Sequence, residues 1–141
     1  MIVQIIEKIK LNPKKLFLID GFGAILSAFL LGVVLVQLER IFGIPSTALY
    51  FLATFPIIFA IYDFFCYRNK TDNIPRYLNG IAIMNLLYCC LSIGVAIYHC
   101  EKIKSLGWVY LLMEIIVLTI LVVIELNVSK ELLRKTNAPI D

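Results

Sequence analysis

The apolar residues of this chain do not alternate with polar ones. They run together in four long blocks, roughly Leu16 to Leu38, Ile44 to Cys66, Leu78 to His99 and Leu106 to Leu126. Three stretches, Gly21 to Leu38, Ile41 to Tyr62 and Tyr77 to His99, hold no Asp, Glu, Lys or Arg at all. A hydrocarbon core about 30 Å thick takes about 20 helical residues, so each block is long enough to cross it. Backbone in lipid must satisfy its own hydrogen bonds, and continuous apolar runs without period two point to helices rather than a barrel. The pattern predicts an all-α, antiparallel up-down bundle of four transmembrane helices.

Around these blocks the chain divides simply. Residues 1–12 form a short N-terminal segment in which Ile2, Ile5, Ile6 and Ile9 repeat at helical spacing against Gln4, Glu7, Lys8 and Lys10, the pattern of a helix lying flat at a membrane interface. Asn12-Pro13 ends it, and residues 13–129 hold the four spans. Residues 130–141 read as a polar tail that prolongs the last span by a turn or two. Glu7, Lys8 and Lys10 interrupt the first apolar pattern and no small-residue cleavage site follows, so no cleavable signal peptide is expected. Glu39 to Pro45 is a short turn, which makes spans one and two antiparallel neighbours, and the same holds for spans three and four. Arg68 to Arg76, with Thr71, Asp72, Asn73 and Pro75, is the turn between the two hairpins.

Charge adds a direction. The chain has 13 Lys and Arg and a formal net charge of +3, but the basic residues track the span ends instead of forming a stripe, which argues against nucleic acid as a partner. Lys8, Lys10, Lys14, Lys15, Arg68, Lys70, Arg76, Lys130, Arg134 and Lys135 fall on one side, and Arg40, Lys102 and Lys104 on the other. The positive-inside rule then puts both termini and the central loop in the cytoplasm. Tyr98, Trp108 and Tyr110 read as an outer aromatic belt, and Tyr62, Tyr67 and Tyr77 as an inner one.

Within the spans, Ala24, Ala28 and Gly32 recur every fourth residue and give span one a face that a neighbour can approach closely. Pro56, in the middle of span two, withholds a backbone donor and crowds the carbonyl of Leu52, so a kink or local widening is expected there. Cys66, Cys89, Cys90 and Cys100 show no Cys-x-x-Cys pair and no common level, so neither a disulfide framework nor thiol redox chemistry is expected. His99 and Glu101 sit at the outer edge without a third ligand, and no metal or cofactor is expected.

The candidate chemistry lies in the polar residues that interrupt the apolar blocks: Asp20, Asp63, Asn85, Tyr88, Glu114 and Glu125. Ionisable groups at membrane depth cost about 2.5–3.5 kcal/mol near the centre and normally face protein or a wet cavity. Counting about 1.5 Å per residue from mid-span, Asp20, Asp63 and Glu125 share a level roughly 10–14 Å toward the cytoplasm, Asn85 lies about 5 Å inward, and Glu114 falls near the midplane. Helical spacing gives each span one polar-bearing face: Asp20 with Ala24 and Ser27, Pro56 with Phe59 and Asp63, Asn85 with Tyr88 and Ser92, Tyr110 with Glu114 and Glu125. The least costly arrangement points all four inward, giving an internal polar patch that opens toward the cytoplasm. Glu114, out of reach of water and headgroups, needs a proton or a partner among Asn85, Tyr88 and Ser92.

The run from Leu16 to Ala24, followed by Ile61-Tyr62-Asp63, Asn85-Leu86-Leu87-Tyr88 and the acids Glu114 and Glu125, resembles small four-span bacterial inner-membrane proteins of no established activity. That resemblance implies a four-helix fold in the bacterial inner membrane and carries over no site residue. From the residues themselves, the expected function is a non-enzymatic bundle that binds a small amphiphile or a partner's transmembrane helix through the polar patch. A small proton-linked transporter, necessarily a homo-oligomer, is the alternative, and an enzyme acting on a lipid the third.

Overall fold

The computed structural model describes residues 1–69 and 73–139, and for Ile2, Ile6 and Lys10 the backbone only. The turn residues Thr71 and Asp72, the cations Lys10 and Lys70, and the Ile2 and Ile6 positions of the first apolar stripe therefore lie outside the described residues or side chains.

Among the described residues the fold is entirely helical. A short helix α1 (Ile2–Leu11) leads into α2 (Lys14–Gln37), followed by a single-turn α3 (Glu39–Phe42), then α4 (Ser46–Arg68), α5 (Ile74–Tyr98) and α6 (Ser105–Thr136). The four long helices α2, α4, α5 and α6 are each long and apolar enough to cross a membrane. Their boundaries follow local chemistry. Proline stands just before α2 and α4 and at the second residue of α5, where its missing N–H costs nothing. Gly43 ends α3 with φ +74°, a conformation that only glycine adopts without strain.

The helices pair as two hairpins: α2 packs along α4, and α5 along α6, with a thinner seam between α4 and α5. The small-residue face of α2 meets α4 as its spacing predicts. A Cβ on Gly21 would lie 3.3 Å from the Cβ of Asp63, and one on Gly32 3.5 Å from that of Ala53. Lipid tails offer helices no hydrophobic drive to associate, so close packing and interhelical hydrogen bonds must hold this interface. Between α4 and α5 the Tyr62 hydroxyl donates to the Tyr77 carbonyl (3.1 Å), and between α5 and α6 the Ser129 hydroxyl donates to the Pro75 carbonyl (2.9 Å). Tyr62 and Tyr77 thus tie two helices together.

At the end opposite α1, the α3 turn is clasped to the start of α6. The Lys104 amide donates to the Phe42 carbonyl (3.0 Å), and Gly107 lets that same carbonyl come so near α6 that no side chain would fit. α3 and α6 are drawn together there.

The local widening expected at Pro56 is not found. α4 runs unbroken through Pro56 from Ser46 to Arg68. The widened turn lies instead in α2, where Leu30–Val34 forms a π-helical turn. Proline removes a single hydrogen bond and a continuous helix absorbs it, whereas a π turn arises where packing on either side demands one extra residue.

Candidate polar cavity

The sequence-predicted polar residues converge, but as two groups stacked along the bundle. The lower group takes one residue from each long helix: Asp20 (α2), Asp63 (α4), Asn85 (α5) and Glu125 (α6), none more than 3% exposed. The Asn85 amide donates to both oxygens of Asp20, at 3.3 and 3.2 Å. Asp63 faces Asp20 and Glu125, and Glu125 faces Asp20. Neither oxygen of Asp63 or Glu125 has a hydrogen-bond donor. Carboxyls so placed hold together only by sharing a proton or a cation, because ionised carboxylates accept and do not donate.

The upper group centres on Glu114. Its Oε1 accepts from the Ser27 hydroxyl at 2.7 Å and from the Tyr88 hydroxyl at 3.3 Å, while its Oε2 is buried without a partner. Of the expected partners Tyr88 is found. Asn85 turns to Asp20 instead, and Ser27, which the sequence places on the Asp20-bearing face of span one without naming it as a partner of Glu114, supplies the shorter bond. A serine among Gly and Ala reads as packing, and only the register of α2 against α6 reveals the partnership.

Both groups border one cavity of about 280 Å³. Asp20, Asn85 and Glu114 supply its polar wall, and Phe59, Tyr88 and Tyr110 its aromatic wall, with Pro56 beside them. Phe59 and Tyr88 meet edge to face, with ring centroids 5.9 Å apart. Tyr110 is accordingly a cavity residue that packs edge-on against Phe42, and does not serve as a free belt residue.

The direction of opening differs from expectation. Toward the end that carries α1, Leu16, Phe17, Leu78 and Ile81 are at most 1% exposed and close the bundle below the carboxyls. The lining residues that remain exposed are Gly23 and Leu26 on α2 and Met113 and Val117 on α6. The mouth is therefore lateral, between α2 and α6, where the two hairpins stand apart. Leu30, at the start of the π turn, also lines it, and π turns recur at functional sites.

Other candidates stay outside this site. Among the described residues no three His, Cys, Asp or Glu side chains converge to hold a metal ion. His99 stacks edge-on against Tyr98 at 4.8 Å. All four cysteines are free, and Cys89 is buried while Cys90 is exposed, as adjacent helix positions require.

Fold and site together define a four-helix, membrane-type bundle with a largely apolar cavity, bordered by a few buried polar side chains, that opens sideways. No protein family, curated protein or solved structure matches the chain in sequence or fold comparison.

Proposed function

We propose that this protein is a non-enzymatic binding protein of a bacterial inner membrane, with both termini cytoplasmic, that takes a small amphiphile from the bilayer into the cavity between α2 and α6. The observation that carries the reading is Glu114, a lining residue of a cavity whose mouth is apolar and lateral, with its Oε2 buried and without a hydrogen-bond partner. Small-molecule sites combine an apolar lining with a few placed polar groups, and intramembrane acids mark such sites. A polar head would reach Glu114 and the Asp20–Asn85 pair, while an apolar chain lay along Leu26 and Val117. A partner's transmembrane helix fits less well, because a helix about 10–12 Å across cannot enter a void of about 280 Å³.

Native mass spectrometry of protein released from mild detergent tests this. The expected result is a retained small amphiphile, lost when Leu26→Trp and Val117→Trp together block the mouth. Protein that retains nothing and takes up no added amphiphile would refute the reading.

Proton-linked transport by a homo-oligomer draws support from Asp63 and Glu125, buried without partners beneath the same cavity. Proteoliposomes separate it from simple binding: transport requires a substrate flux that follows an imposed pH gradient and stops in Glu114→Gln.

A further inference from the structure

Carboxyl side chains line the cavity, and aromatic rings lie beside them. Glu114 and Asp20 are on its wall, and no Lys, Arg or His is among its described lining residues. Asp63 and Glu125, which face Asp20 from behind, add two more carboxyls and again no cation. Phe59, Tyr88 and Tyr110 complete the enclosure. Carboxyls and ring faces attract the same partner, since the face of an aromatic ring carries the negative part of its quadrupole.

An anionic head placed here would meet buried carboxyls with nothing to pair it. A hydroxyl head would satisfy one hydrogen bond and leave the rings unused. An ammonium is the head that suits both the Glu114 carboxyl and the aromatic rings beside it. Ser27 and Tyr88 both donate to Oε1, and Oε2 is buried without a donor. Asn85 holds the Asp20 carboxyl through both of its oxygens, which fixes that second carboxyl in place.

We propose that the ligand of this cavity is an amphiphilic amine, with its ammonium at Glu114 beside the rings of Phe59, Tyr88 and Tyr110. The inference rests on the amphiphile-binding reading and names the ligand class for the same site.

The test uses the full chain in nanodiscs of neutral phosphatidylcholine and three radiolabelled probes of equal chain length: dodecylamine, dodecanol and dodecanoic acid. The variant with Leu26→Trp and Val117→Trp serves as the blank for partition into lipid. Dodecylamine should bind at least about tenfold more tightly than the other two, as a charge-assisted bond and ring contacts together imply. Glu114→Gln should abolish that preference, bringing dodecylamine down to the affinity of dodecanol. If dodecanol or dodecanoate binds the native protein as tightly as the amine, the amine assignment is wrong and the amphiphile site stands. If no probe binds above the blank, the amphiphile reading itself fails, and the amine assignment with it.

Discussion

Ser27 and Glu114 are 87 residues apart in sequence and 2.7 Å apart across the bundle. Their bond joins α2 to α6, the two long helices that otherwise stand apart at the mouth of the cavity. It is a cross-brace between hairpins, made at the level where the bundle is most open.

Removing its acceptor should therefore cost more than removing a surface contact. Glu114→Ala leaves the hydroxyls of Ser27 and Tyr88 without their acceptor and should lower stability by about 1–3 kcal/mol. Glu114→Gln, which keeps an acceptor oxygen, should cost less than half of that. Thermal unfolding of the purified protein in micelles, read by far-UV circular dichroism, checks the ranking.

Asp63 gives the opposite sign. It is wholly buried, neither oxygen meets a donor, and it faces two further carboxyls. Asp63→Asn keeps the shape and supplies an N–H toward Asp20, so stability should rise by about 1 kcal/mol. A fall of that size would show that the native site depends on a cation bridging the carboxyls.

Gly80 and Tyr62 should behave as a pair. A Cβ on Gly80 would lie 2.5 Å from the Tyr62 hydroxyl but 3.5 Å from the ring carbon that bears it. Gly80→Ala should thus destabilise the native protein by about 1–3 kcal/mol and be close to neutral in a Tyr62→Phe background. A double-mutant cycle of unfolding midpoints measures the difference.

The proposed orientation can be read from native thiols. Cys100 is exposed at the end of the bundle opposite α1, whereas Cys66 and Cys89 are buried. With the termini cytoplasmic, a membrane-impermeant maleimide added to intact cells should label Cys100 and lose its signal in Cys100→Ser. Labelling of Cys100 only in inverted vesicles would reverse the orientation.

Much of this was legible in the residues. Runs such as Tyr77 to His99 announce helices because length and the absence of charge are properties of one segment alone. A close-packing face on span one that includes Gly32, and Tyr88 as one of three candidate partners for Glu114, also follow from helical period. What period does not encode is the gap between helices. Asp20, Asp63 and Glu125 share a level as counted, yet Leu16, Phe17, Leu78 and Ile81 seal that level off, and the opening lies sideways. Ser27 was hidden for the same reason, since its partner lies in another helix whose rotation no local pattern states.

The π turn at Leu30–Val34 carries a consequence for tolerance to length change. Such a turn houses one surplus residue while keeping the segments on either side in phase with their neighbours. Deleting a single residue there would let α2 revert to regular winding, with Asp20 and Ser27 still directed inward and Leu35 still packed. The same deletion in α4 or α5 would rotate everything beyond it by about 100° and turn buried side chains out into lipid.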